Sequence, residues 1–215
     1  MSSRGCSLPG VAGHAVGKRP YHHGNLRRAV LDGALASIAA HGPAALSLRD
    51  VARRAGVSHA APAHHFADKA GVLTAIAAEG YTLLADAMRD ALADSGGDLV
   101  ASGIAYIRFA LGHRAHFEVM FRPELYRAED PELASARQAA ADVLLGAVRD
   151  TLGDASDDEV WGGVLAAWSF THGFATLSLN TNFTPARADD IEAAVRQVGA
   201  SVVRLTAAGA FGPEV

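Results

Sequence analysis

Ser47 to Phe66, SLRDVARRAGVSHAAPAHHF, is the stretch on which the reading of this chain turns. Leu48, Val51, Ala52 and Ala55 recur at i, i+3, i+4 and i+7, which puts one apolar stripe on a helix whose other faces carry Arg49, Arg53 and Arg54. Ser47 can cap that helix, and Asp50 three residues on can reach back to complete a capping-box-like pair. Gly56 ends it, because glycine enters the left-handed conformation without strain, and so short a turn swings a second helix across the first. Val57 fills the corner, the small Ala52 lets the helices approach, and Ser58 is a natural N-cap for the second helix. The pattern is that of a helix-turn-helix. Pro62 leaves the second helix's start open. With Ser58 as cap, it is the fourth helical residue and loses about one backbone hydrogen bond; with a start nearer Pro62 it loses almost none.

Outward from this motif the chain divides by charge. The 215 residues carry a net −4, yet residues 1–72 hold nine Lys/Arg against three acids, and the remainder ten against twenty. A basic head that coincides with a helix-turn-helix suits a polyanion. Half the residues are apolar, enough for a large core, and length alone allows one domain or two. The single cysteine, Cys6, excludes an internal disulfide and fits a reducing, cytoplasmic setting. No apolar run approaches the roughly 18 to 20 residues of a membrane span, and the first twenty residues lack the apolar core of a signal peptide, so no membrane partner is expected.

Residues 1–20 contain Gly5, Pro9, Gly10, Gly13, Gly17 and Pro20, end in a Lys18-Arg19 pair before that last proline, and read as a flexible basic arm. A helix is expected from Asn25, with Leu26, Val30, Ala34 and Ile38 every fourth residue, until His41-Gly42-Pro43 stops it. Packed on the helix-turn-helix, it completes a three-helix unit around Val51, Val57 and Phe66. Tyr21, His22 and His23 lie just ahead of it, near where a phosphate could approach. Asp68 caps a longer helix to about Ala93, with Leu73, Ile76, Ala77, Leu84 and Met88 along one side. Lys69 stands in its first turn, where free N–H groups and an ammonium together favour an anion.

The first helix, then VARRAGVS, then HHFADKAGVL entering a long helix, resembles the DNA-binding domain of the tetracycline-repressor-like (TetR) family of bacterial transcription regulators over roughly residues 22–84. Ala52, the Ala55-Gly56-Val57-Ser58 turn, and Phe66 followed by Lys69 stand in the family's usual spacing. One departure is that Pro62 and Ala63 replace an apolar residue and a tyrosine common in members, removing a side chain that often reaches DNA phosphate and shifting contacts to His64 and His65. The expected DNA-facing set is Tyr21, Ser47, Arg49, Ser58, His59, Ala60, Ala61, His64, His65 and Lys69. The resemblance implies a regulator, most simply a repressor, that binds a double-stranded operator as a homodimer. It divides the chain into an arm at 1–20, a DNA-binding domain at 21–84 and an effector-binding, dimerising domain at 85–210.

From about Asp98 apolar helical segments alternate with caps and breakers, without a strand pattern, so the fold is expected to be all-α. One helix runs from Asp98 to near Gly112 and, apolar around most of its girth at Ile104, Ile107, Phe109 and Leu111, should lie in the middle of its domain. A short helix follows over His113–Arg122, then one from Asp130-Pro131 to Gly153, then one opened by a Ser156/Glu159 capping box and running to about Asn180. Gly162, Gly163 and Gly173 interrupt this last one, as close packing or a ligand would require. Ile191, Val195, Val198, Val202 and Leu205 alternate spacings of four and three, a coiled-coil-like seam. The resemblance implies that this helix and the one before it pair with those of a second subunit as a four-helix dimer interface; an intrachain core face fits the same spacing.

More loosely, Trp168, His172 and Gly173 resemble a Trp-His-Gly subtype of the family's C-terminal domain, the part that generally binds an effector. Phe109, Phe117, Met120, Phe121, Trp168, His172 and Phe174 are candidates to line a pocket for a small hydrophobic effector, with a packed core as the competing account. The ten histidines raise a metal site. His113 and His116 lack residues at ligand spacing, and His64 and His65 diverge by about 100° on a helix, so neither metal nor cofactor is expected. An enzyme could use Ser169, Thr171 and His172, but the chain has no Gly-rich phosphate loop, nucleophile elbow or paired cysteine. An all-α scaffold would leave the basic motif without a use. The expectation is therefore a dimeric, effector-responsive, non-enzymatic DNA-binding regulator.

Overall fold

The computed structural model describes residues 23–180 and 191–198. In chain order they form α1 (His23–His41), α2 (Leu48–Ala55), α3 (Ala61–Phe66), α4 (Lys69–Ser95), α5 (Leu99–Gly112), α6 (Arg114–Met120), α7 (Pro131–Leu152), α8 (Asp157–Asn180) and α9 (191–198). Short 3-10 turns at Pro43–Ala45 and Pro123–Leu125 join them. Among the described residues the fold is all-α, as expected. The N-terminal arm, Tyr21, Val202 and Leu205 lie outside those residues.

Four helix starts follow from a side chain that satisfies an orphaned N–H, a contribution of about 1 kcal/mol each. Asp68 accepts from Gly71 N at 2.9 Å, Asp98 from Val100 N at 2.9 Å, and Asp130 from Glu132 N and Leu133 N at 3.1 Å each. The Ser156/Glu159 box closes, with Glu159 accepting from Ser156 N at 2.8 Å and from its hydroxyl at 2.7 Å. Three expectations at helix starts are corrected. α1 begins at His23, ahead of Asn25. Ser47 makes no side-chain cap on α2, and Asp50 turns instead to Arg53, to Arg54 Nε at 2.5 Å and to the Ser37 hydroxyl of α1 at 3.2 Å. Bonds from two guanidinium groups outcompete a neutral N–H. Ser58 does not cap α3, which starts at Ala61 with Pro62 in its first turn, where the missing N–H leaves no bond unmade. Gly56 ends α2 in the left-handed region, with φ 65°.

Val30, Leu31, Ala34 and Ile38 of α1 pack with Val51 of α2 and Phe66 of α3, and the same core continues without a break into the body. The carrier is α4. Its Val72, Leu73, Ile76 and Ala77 are fully buried, and Leu84, Ala85 and Met88 extend the stripe. The helix touches α1 and α3 at one end and α5, α6 and α7 along the rest, so a division at residue 84 falls inside one continuous helix. α5 lies between α4 and α8 in the body, as expected, and turns little besides Arg108 to solvent. Ile191 and Val195, expected on a subunit seam, are each 5% exposed within the single chain and join its core. Arg196 holds α9 near the start of α5, 3.7 Å from Asp98.

Head and body also meet through polar side chains. Arg28 of α1 donates to Glu79 of α4 at 2.7 Å, and the other oxygen of Glu79 lies 3.1 Å from His116 Nε2 on α6. Arg127, between α6 and α7, donates to the Asp68 cap at 2.8 Å and, through its backbone N–H, to the Thr74 hydroxyl at 3.0 Å. Burial holds the His116 imidazole below its ordinary pKa of 6.5, because desolvation penalises the charged ring more than Glu79 favours it. For Glu79 burial acts upward, but the hydrogen bonds from Arg28 and His116 together bring it below the ordinary carboxylate value.

This packing sets two measurable outcomes. A Cβ on Gly71 would stand 1.9 Å from the Phe66 carbonyl oxygen, whereas one on Gly146 meets nothing within 4 Å. Gly71→Ala should therefore lower the denaturant midpoint by the equivalent of about 1–3 kcal/mol, and Gly146→Ala should raise it by up to about 1 kcal/mol. His116 stays neutral in the folded chain where the unfolded chain would bind a proton, so its contribution is complete above pH 6.5 and is lost as pH falls through the folded pKa. Urea midpoints measured between about pH 7.5 and 5 should fall on acidification, and His116→Gln should flatten that fall; an unaltered slope would remove His116 as its source.

Candidate functional site

The helix-turn-helix presents a short, histidine-rich face. His59 and Ala60 occupy the turn ahead of α3 and are exposed, as are Ser47, Arg49, Ser58 and His64, while His65 is half-buried with its ring edge-on to His64 at 5.2 Å. Ala61, expected in a groove, is 6% exposed and belongs to the core. The cause is the late start of α3: six residues span fewer than two turns, so its first residue packs inward against α1 and α2.

Charge on this face is more selective than a count of arginines suggests. Arg54 and Arg53 both bond Asp50 and hold its carboxyl at about 2. Arg49 has no hydrogen-bond or ion-pair partner among the described residues and is exposed. Lys69 donates its ammonium to the Ala44 carbonyl at 2.6 Å, which fixes it beside the N-terminus of α4. Sequence reasoning gave Arg27 no role; its guanidinium lies 5.3 Å from the centre of the Phe66 ring, an exposed cation stacked on the end of α3.

Behind the head, a cavity of about 1000 Å³ lies between α4, α5, α7 and α8, open to solvent on the side of Arg137 and Trp161. Of the residues expected there, Met120, Phe121 and Trp168 line it. Phe109 instead stacks on His113 at 5.1 Å, and Phe117 and Phe174 are packed into the core. His172 stands one layer back, with Nδ1 2.9 Å from the Tyr106 hydroxyl and its ring 4.4 Å from Phe121. The lining also includes Tyr81, Ser102, Tyr106, Tyr126, Arg137 and Trp161, none of them anticipated. The available signal was Ser102-Gly103, two small residues inside the otherwise apolar α5, where a filled core would call for bulk.

The polar groups of the cavity wall are mostly neutral donors and acceptors. Tyr81 and Tyr126 both donate to the Met120 carbonyl, at 3.2 and 2.8 Å. Burial pushes the Tyr81 phenol up to about 12 and raises Tyr106 and Tyr126, so none ionises near neutrality. Burial also lowers the His172 imidazole. Thr171 spends its hydroxyl on the Ala167 carbonyl at 2.8 Å and Ser169 faces solvent, so Ser169, Thr171 and His172 do not assemble a nucleophile and base. Such a chamber can take an apolar body and orient it with a few hydrogen bonds.

A third surface is apolar and open. On α8, Trp161, Leu165 and Leu177 are 60%, 41% and 53% exposed. The α8 glycines divide accordingly: a Cβ on Gly163 would come within 2.8 Å of Val148 on α7, whereas Gly162 and Gly173 face open space.

Residues 30–76 match the family described as bacterial regulatory proteins, tetR family, and residues 99–202 match the tetracyclin repressor-like C-terminal domain. Among solved structures, a protein of unknown function from Rhodococcus sp. RHA1 is 32% identical, over 84% of this chain and 96% of that one, with a TM-score of 0.69. The TetR family transcriptional regulator PfmR from Thermus thermophilus is 22% identical over 86% and 99% of the two chains, with a TM-score of 0.61. The TetR-like regulator LfrR from Mycobacterium smegmatis, solved in complex with proflavine, is 19% identical over 80% and 93%, with a TM-score of 0.59. These last two likenesses concern the fold. No curated protein matches the chain. With one family model on the helix-turn-helix head and the other on the body behind it, the chain belongs to the TetR family of bacterial DNA-binding transcription regulators.

Proposed function

We propose that this regulator is a cytoplasmic repressor that holds an operator as a homodimer and releases it when a small hydrophobic molecule fills the cavity. It performs no catalysis in this reading. The observation that carries the reading is that the cavity wall and the head share α4 and a continuous set of polar contacts. The cavity tyrosines Tyr81 and Tyr126 hold the Met120 carbonyl at the end of α6; α6 carries His116, which reaches Glu79, which takes Arg28 of the head. A ligand that shifts α6 in the cavity therefore acts on α1. The LfrR structure, solved with the small molecule proflavine, lends support by analogy.

Dimerisation is supported by the open face of α8. Trp161 and Leu165 are one turn apart, and exposed bulk of this kind on a helix favours a partner. Two heads held at a fixed separation would then reach half-sites about 34–36 Å or a multiple apart. Of the last two helices α8 offers the open face, since Ile191 and Val195 of α9 are already covered within the chain, with Val198 half-buried at the edge.

The effector reading is tested by selecting an operator from a random duplex pool and screening compounds for protein binding and for loss of operator affinity. At least one compound should do both, with coupling of about 1–3 kcal/mol per site. Glu79→Gln should keep compound binding while reducing its effect on DNA; binding compounds that never alter operator affinity would leave a constitutive DNA-binding protein. In the same assay Arg49→Ala should flatten the salt dependence by about one unit, as loss of one phosphate contact would, while Arg53→Ala should change it less because Asp50 already neutralises that charge. Leu165→Asp should yield monomers in sedimentation with weakened operator binding; a dimer of full affinity would place the interface elsewhere.

A further inference from the structure

The cavity wall has one cation left without a partner. Of the ionisable side chains on its wall besides the neutral tyrosines, Arg196 is paired with Glu192 at 3.1 Å, and Asp142 accepts the Gln138 amide at 2.8 Å. Arg137, one turn before Ala141 on α7 and exposed at the cavity's rim, has no hydrogen-bond or ion-pair partner among the described residues. Its positive charge acts on the phenols of Tyr81 and Tyr126, opposing the upward push of burial at both, so it lies on the side of the chamber where those hydroxyls hold Met120. The rest of the wall is largely aliphatic and aromatic, including Leu84, Met88, Leu144, Val164, Phe121 and Trp168.

Resting on the reading of the cavity as the effector site, we infer that its ligand is an amphiphilic monoanion, an apolar or aromatic body carrying one carboxylate- or sulfonate-type group, and that Arg137 is the residue that reads the charge. A guanidinium offers two parallel N–H donors to such a group, an arrangement an amide or a cation cannot use. The apolar body accounts for the chamber, and the neutral hydroxyls of Tyr106 and Ser102 supply orientation.

The protein carries its own reporter, because its two tryptophans, Trp161 and Trp168, both line the cavity. Three probes separate the possibilities: anilinonaphthalene sulfonate, an aromatic monoanion; phenylnaphthylamine, the same ring system without the sulfonate; and proflavine, an aromatic cation. Tryptophan quenching of the full-length protein should show the sulfonate binding more tightly than either of the others. Arg137→Gln should weaken the sulfonate by about tenfold or more and leave phenylnaphthylamine within about twofold, and Arg137→Lys should recover part of the loss. Equal effects on both probes, a loss of the sulfonate under about threefold, or tighter binding of proflavine than of the sulfonate would overturn the inference while leaving the cavity as a binding site. Ala141→Trp, at an exposed position on the wall, should block both naphthalene probes. If it does not, or if no probe quenches the tryptophans of the parent protein, the cavity reading falls and this inference with it.

Discussion

α4 must be buried by both halves of the protein at once. Val72, Leu73, Ile76 and Ala77 sit where the head closes over the helix, and Leu84, Ala85 and Met88 where the body does. Burying each larger aliphatic side chain contributes about 1.5–3 kcal/mol, and that contribution exists only while α1, α3, α5, α6 and α7 are all in place around the helix. The small residues on α4 extend the same constraint. Gly71 gives up its side chain so that the Phe66 carbonyl can close against the first turn, and Gly80 does so for Met120 and His116 of α6. The head has no separate core to fall back on; its apolar cluster is continuous with that of the body.

What the residues disclose on their own is whatever a few neighbours decide. Asp68, Asp98, Asp130 and the Ser156/Glu159 pair cap the helices they precede, because the acceptor and the N–H it serves are two or three residues apart. Ser47 and Asp50 have the same local logic, yet Asp50 is taken by Arg53, Arg54 and Ser37, the last thirteen residues away. Periodicity likewise marks a face without saying what covers it. Ile191 and Val195 lie on an apolar stripe that the chain's own core buries, while Trp161 and Leu165 are left bare on α8. Phe109, Phe117 and Phe174 could not be told from Phe121 by spacing, because whether an aromatic ring borders a void depends on helices distant in sequence.

The joint between head and cavity is polar in an otherwise apolar chain. Aliphatic packing tolerates small slips at little loss, whereas Arg28, Glu79 and His116 must keep hydrogen-bond distance to remain satisfied, and Glu79 and His116 are largely withdrawn from water. The two phenols on the Met120 carbonyl are subject to the same demand. A contact of this kind is either made or broken, where aliphatic packing changes gradually. The exposed pair of Arg127 and Asp68 adds direction more than strength.

Because α4 runs unbroken from the Asp68 cap to the cavity, it also keeps angular time along the chain. Each residue of an α-helix turns its successor by about 100° and advances it by about 1.5 Å. One residue inserted between Lys69 and Tyr81 would turn the whole head by roughly that angle about the helix axis and carry the histidines of α3 away from the side they now face. Insertion of four residues, which overshoots a full turn by only about 40°, would disturb the bearing far less than insertion of two. The stretch from Lys69 through Glu79 to Tyr81 is thus a screw thread of set pitch, in which length and orientation cannot be altered separately.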